Sequence, residues 1–153
     1  MSERTLSSIV AEADHSAPNE TGGAVVGYWV TRFAEVVVTN CVGPGPNACH
    51  EPKNFEPDYT FQETELEGYY FASGRLHTYL GDWHTHPSGG TGLSAMDRRT
   101  MRRIANHPAA RTPVPLMVVV TDSPRWAPSV WICISRGWGL FGYRRLSLNV
   151  FSD

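Results

Sequence analysis

The spacing of apolar positions changes along the chain. Leu6, Ile9, Val10 and Ala13 recur three and four residues apart, which predicts an amphipathic helix over residues 4–14. His15-Ser16-Ala17-Pro18 ends it. Ala24 to Val30 is a short continuous apolar run and reads as a buried strand. Residues 34–39 are β-branched and read as the next strand, with a turn at Thr31-Arg32. Gly43, Pro44, Gly45, Pro46, Pro52 and Pro57 then predict one long irregular segment over 43–58, of a length that is usually functional or mobile in a compact domain. Residues 61–72 predict a helix with Gln62, Glu63, Glu65 and Glu67 outward and Phe61, Leu66, Tyr69 and Tyr70 turned partly inward. Strands follow at 76–83, 116–121, 130–135 and 140–147. Between them a helix begins at Ser94, buries Met101, Ile104 and Ala105, and stops at Asn106-His107-Pro108. Helix and strand alternate early and strands cluster late, the pattern of an α/β domain with a mixed sheet flanked by helices.

Composition narrows this picture. A chain of 153 residues with 41% hydrophobic and 18% charged residues predicts one globular domain over 1–153. Thirteen basic residues against 15 acidic give a net charge of -2, no global footprint for nucleic acid or an anionic membrane. No apolar stretch reaches bilayer length, and no apolar run follows Met1-Ser2-Glu3-Arg4 as a signal peptide would require. Cys41, Cys49 and Cys133 are odd in number and irregular in spacing, which excludes a disulfide framework and predicts a reducing cytoplasm. Cys133 reads as a small buried hydrophobe, and Cys49-His50 lacks the neighbouring ligands a second metal would need.

The most specific chemistry lies in His84-Thr85-His86-Pro87 and the stretch that ends at Asp97. Residues i and i+2 of a strand point to one face, so His84 and His86 can reach one metal together. Asp97 returns to them across the Gly-rich turn Ser88–Gly92. Two histidines and one carboxylate leave a fourth tetrahedral position for water, the pattern of a catalytic zinc and of a hydrolase. Ser94 and Asp97 fit an N-cap hydroxyl with an acidic residue at N3. Thr85 faces away from its two neighbours as a packing residue. A general base is also needed, and Glu20, Asp82 and Glu35 are all candidates from the residues alone. Arg98, Arg99, Arg102 and Arg103 read first as a solvated helix face and second as a docking patch for an acidic partner. Trp126, Trp131 and Trp138 read as core or dimer packing, and Trp29 and Trp83 as support for the site.

The pattern His-x-His-Pro, six residues, Ser, two residues, Asp resembles the JAMM motif of MPN-domain metalloproteases, with every position present. Gly81-Asp82-Trp83-His84-Thr85-His86-Pro87 is similar to the strand that carries it in bacterial members. Glu20-Thr21-Gly22-Gly23-Ala24-Val25-Val26-Gly27 is similar to the family's upstream glutamate element. The resemblance spans about residues 18–135. It implies a single MPN domain with a curved mixed sheet in a cytidine-deaminase-like α-β-α arrangement. It implies Zn2+ held by His84, His86 and Asp97, with Glu20 as catalytic base and Ser94 as both helix cap and oxyanion donor. The implied reaction is cleavage after the C-terminal tail of ubiquitin or a ubiquitin-like modifier, with the tail added as a strand beside an exposed edge. The implied partners are that modifier or its conjugate, with E1- and E2-like conjugation enzymes, in a bacterial system linked to antiphage defence. Gly45-Pro46-Asn47-Ala48 and Asp97-Arg98-Arg99-Thr100 also look like bacterial members. Segment 43–60 is expected to touch the modifier or its target. Alternatives are processing of a sulfur-carrier protein or a phage-tail component, and a noncatalytic MPN binding module. The intact Glu20, His84, His86 and Asp97 speak against the last.

Overall fold

The computed structural model describes residues 1–31, 35–122 and 125–152. Helix α1 (Glu3–Ser16) is followed by β1 (Gly22–Thr31) and β2 (Glu35–Val42). A small hairpin, β3 (Cys49–Glu51) and β4 (Asn54–Glu56), leads to α2 (Tyr59–Ala72) and β5 (Thr78–His86). Helix α3 (Ala95–Asn106) precedes β6 (Leu116–Asp122), β7 (Trp126–Ser135) and β8 (Phe141–Leu146). Six strands form one sheet in the order β2-β1-β5-β6-β7-β8. Only β5 and β6 run parallel in that sheet, with α3 in the crossover between them.

The sheet is covered on both faces. On one, Ile9 of α1 packs with Val25, Leu80, Trp83, Leu116, Val118 and Ile132. On the other, Phe61, Leu66 and Tyr69 of α2 cover Ala24, Val26 and Val42, and Met101 of α3 packs with Met117, Val119 and Cys133. This is the mixed sheet flanked by helices that the periodicity predicts, in the α-β-α layering that the resemblance implies.

A bulge sets which side chains of β5 face which layer. Val25 pairs with Gly81 and Val26 with Tyr79, so Leu80 is the extra residue. Gly81 has φ 143°, and a Cβ there would lie 2.1 Å from the Leu116 carbonyl oxygen. The bulge puts Leu80 and Trp83, three residues apart, into the same α1-side core. It also brings Tyr79 and Asp82 together, the phenol donating to Asp82 Oδ1 at 2.6 Å. Beyond it, Trp83 and Thr85 are buried while Asp82, His84 and His86 are half-buried on the opposite side.

Several expectations need correction. Segment 43–58 is not wholly irregular: β3 and β4 pair across Pro52-Lys53, in strands too short to show a period. Gln62 is buried rather than outward, because its Nε2 donates to the Gly43 carbonyl at 2.9 Å and ties α2 to the Gly-Pro stretch. Asp58 caps α2 through the Phe61 N–H, so the helix starts at Tyr59. β5 includes both histidines, and Leu76 lies outside it and exposed. β7 begins at Trp126 instead of residue 130. Trp138 is fully exposed in a left-handed conformation between Gly137 and Gly139, which rules out a core role within this chain. Trp29 lies toward the far end of β1 from Gly22. Arg32 of the first turn and Ala34 of the second strand lie outside the described residues.

Gly81→Ala is expected to destabilise the fold by on the order of 3 kcal/mol, since both the positive φ and the Leu116 backbone oppose a Cβ. Urea unfolding should show a lower midpoint with an unchanged slope.

Candidate metal centre

Three side chains from two elements converge at the end of β5. His84 Nε2 and His86 Nε2 lie 3.0 Å apart. Asp97 reaches across from the first turn of α3, its Oδ1 3.2 Å from His84 Nε2 and its Oδ2 3.6 Å from His86 Nε2. Among the described residues these three form the group that could hold a metal ion. The spacing fits one small cation. Ligand bonds of about 2.0–2.1 Å at tetrahedral angles place neighbouring donors about 3.3–3.4 Å apart. Two imidazole nitrogens that face each other at 3.0 Å either share a proton or hold a cation between them.

The ligand geometry is supported from behind. The Gly90 carbonyl accepts from His86 Nδ1 at 3.2 Å, which leaves the Nε2 lone pair of the neutral ring for a metal. Asp97 belongs to a complete capping box: Ser94 Oγ accepts the Asp97 N–H at 3.1 Å, and the Ser94 N–H donates to Asp97 Oδ2 at 2.7 Å. Burial resists ionisation of Asp97, but His84 and the Ser94 contacts outweigh it and hold its carboxyl down at about 2. Ser94 itself is exposed, so its hydroxyl remains accessible.

Glu20 enters from the other side of β5. Gly22 pairs with His84, and the same antiparallel register carried two residues further puts Glu20 opposite His86. That register is held by two bonds, Thr85 N–H to Thr21 O at 2.8 Å and Thr21 N–H to Thr85 Oγ1 at 2.9 Å. Partial burial raises the Glu20 carboxyl, the His84 and His86 charges pull it back, and Asp97 pushes it up again. Glu20 therefore feels all three members of the cluster. The rival carboxylates are placed differently. Asp82 is engaged by Tyr79 and raised by its burial, and Glu35 pairs with Thr31 at the far end of the β1–β2 ladder.

Sequence reasoning missed what holds Glu20 in place. Its N–H donates to the Glu51 carbonyl at 2.8 Å, and its carbonyl accepts from His50 Nδ1 at 3.1 Å. The β3 strand thus clamps the Glu20 backbone. His50 serves that clamp, and neither it nor the exposed Cys49 joins a metal-ligand group among the described residues. Glu12 of α1 accepts from both Ser16 and Thr21 hydroxyls, at 2.8 and 3.1 Å. Thr85, between the two histidines, was readable as inward-facing, but its bond to Thr21 was not.

A family model for prokaryotic homologs of the JAB domain matches residues 2–133. The chain belongs to that family. The JAB domain is the MPN domain to which the motif pointed. The chain is 37% identical over 132 residues to the "Probable metalloprotease y4qB" of Sinorhizobium fredii, covering 85% of this chain and 80% of that one. It is 26% identical over 139 residues to a "CD-NTase/cGAS isopeptidase" of Enterobacter hormaechei, covering 88% and 73%. A protein of the same description from Vibrio cholerae is 28% identical over 89 residues, 58% of this chain and 56% of that one. The solution structure of protein DSY2949 from Desulfitobacterium hafniense superposes with a TM-score of 0.65 over 99% of this chain and 92% of its own, at 19% identity, and shares the fold. No helix among the described residues of this JAB domain is long and apolar enough to cross a membrane.

Equilibrium dialysis against a divalent cation should find one ion bound per chain, lost in His84→Ala and in His86→Ala. Thr85→Val should leave that stoichiometry unchanged. It strands the buried Thr21 N–H, however, and should cost about 1–3 kcal/mol in urea unfolding.

Proposed function

We propose that this JAB domain, acting as one domain over residues 1–153, is a zinc-dependent peptidase. On this reading it cuts the isopeptide or peptide bond that follows the C-terminal tail of a ubiquitin-like modifier, and the modifier or its conjugate is the partner. The observation that carries it is the convergence of His84, His86 and Asp97 with Glu20 opposite them. His84, His86 and Asp97 are the ligands, and a borderline-soft cation that accepts two imidazoles and one carboxylate is well matched by zinc. When bound, zinc lowers the pKa of its water toward neutrality and polarises the scissile carbonyl.

The remaining work falls to the chain. Glu20, its carboxyl raised by partial burial, takes the proton of the attacking water and delivers it to the departing amine. Ser94 keeps a free hydroxyl hydrogen, because its bond to the Asp97 N–H uses the oxygen as acceptor. That hydrogen can be donated to the developing oxyanion, an interaction whose loss typically costs on the order of 100-fold in rate. The capping box keeps Ser94 and Asp97 in one rigid turn, so the ligand and the donor move together.

Isopeptide rather than general peptide cleavage is favoured by the two relatives described as isopeptidases. Their association with CD-NTases and cGAS also supports a role in a bacterial conjugation system with E1- and E2-like enzymes and in antiphage defence. The soluble face of such a system lies in the cytoplasm, where the free Cys41, Cys49 and Cys133 stay reduced.

The test is cleavage of a modifier–protein fusion by the zinc-loaded chain. Glu20→Ala should retain the metal and lose activity by on the order of 100-fold or more. Ser94→Ala should lower kcat and also reduce stability by about 1 kcal/mol through the lost cap. A zinc-loaded wild type that cuts no fusion while still binding the modifier would instead support a noncatalytic binding module.

A further inference from the structure

The net charge of -2 conceals a strong polarity. Nine of the 13 basic residues but only Asp122 and Asp153 of the 15 acidic ones follow Asp97, so residues 98–153 carry a net +7 and residues 1–97 a net -9. The strand order of the sheet separates these halves. β2, β1 and β5 come from the acidic portion and occupy one side of the sheet, while β6, β7 and β8 occupy the other. All nine of the late cations are arginines, and all are exposed.

Part of this basic half is continuous with the metal centre. The turn that supplies Gly90 O to His86 also supplies Thr91 O to the Trp131 indole N–H, at 3.3 Å. Trp131 pairs with Arg145 of β8, whose guanidinium donates to Ser129 Oγ at 2.9 Å. Next to Arg145 on the same face, Tyr143 donates to the Arg98 carbonyl at 3.0 Å, and the Arg98 guanidinium lies 5.6 Å over its ring. Arg102 lies near enough to Tyr143 to favour the ionised phenol. Arg98 directly follows the ligand Asp97. The face is thus built from Arg98, Arg102, Trp131, Tyr143 and Arg145, the residue types that dominate protein-binding surfaces. The family match ends at residue 133, so β8 lies outside the matched residues.

We infer that this α3–β8 face docks an acidic surface of the protein substrate beside the metal centre. The inference rests on the peptidase reading for its purpose. Guanidinium groups steadied by an aromatic ring and a hydroxyl meet carboxylates in a bidentate fork. A compact acidic patch touches the basic half alone. A long polyanion such as nucleic acid would extend along the -9 half and be repelled there, which favours a protein partner. The same polarity orients an acidic substrate before contact, and that steering weakens with salt.

The test is fluorescence anisotropy of a labelled oligoglutamate peptide with the zinc-loaded full chain. Binding is expected at low salt, falling as salt rises. It should weaken about tenfold or more in Arg98→Glu/Arg102→Glu/Arg145→Glu and partly in the matching Arg→Lys triple, while Arg4→Glu/Arg75→Glu on the acidic half should change it less than about twofold. Equal binding by wild type and the Glu triple overturns the proposal, as does equal weakening by the control pair. Tighter binding of an oligodeoxynucleotide of the same charge overturns it in favour of nucleic acid. Retained metal stoichiometry and circular dichroism show that each variant is folded. Because anisotropy needs no turnover, absence of fusion cleavage would count against the peptidase reading and leave the surface to be judged by binding alone.

Discussion

The paired hydrogen bonds between Thr21 and Thr85 are the contact on which the candidate site depends. Thr85 sits between the two histidines and Thr21 directly follows Glu20, so these bonds lock both sides of the centre into one register. A one-residue slip would turn Glu20 or the histidines to the opposite face of the sheet. The pair is buried, where leaving either group unsatisfied is costly. Glu12, donated to by Thr21 and Ser16, extends the network into α1. The helix on the far face of the sheet thereby helps to set the position of a carboxylate near the histidines.

Rigidity around the centre comes from backbone contacts more than from the ligands themselves. The β3 strand grips Glu20 through its N–H and carbonyl. The Ser94–Asp97 box fixes the carboxylate, and Gly90 orients His86. The Glu20 backbone, the Asp97 carboxylate and the His86 ring are therefore each held by a neighbour whose own geometry is set by secondary structure, which is how a constellation stays within the tolerance that chemistry requires. Partial burial raises Glu20 without removing it from the field of the histidines. That combination suits the proton-transfer role proposed for Glu20.

Charge organisation adds a second level. The site lies at the junction between an acidic and a basic half, because the chain order of charge is preserved in the strand order of the sheet. A total near zero gave no sign of this. Only the segregation of sign along the sequence, joined to the topology, turns scattered arginines into one face.

The chain by itself determined a good deal. Periodicity marked most elements, because buried stripes and apolar strand runs are local consequences of one-sided burial. The His84–Asp97 spacing carried its chemistry for the same reason: strand alternation and a helix cap are rules of local geometry. The choice of Glu20 over Asp82 and Glu35 came from family resemblance, and the fold then set these carboxylates in different surroundings. Tertiary structure alone decided the bulge at Gly81, the inward turn of Gln62, the β3 clamp on Glu20 and the exposure of Trp138. The first three depend on a partner distant in sequence: Leu116 for Gly81, Gly43 for Gln62, His50 and Glu51 for Glu20. No local pattern encodes such a pairing, since it is set by which surfaces meet when the sheet closes.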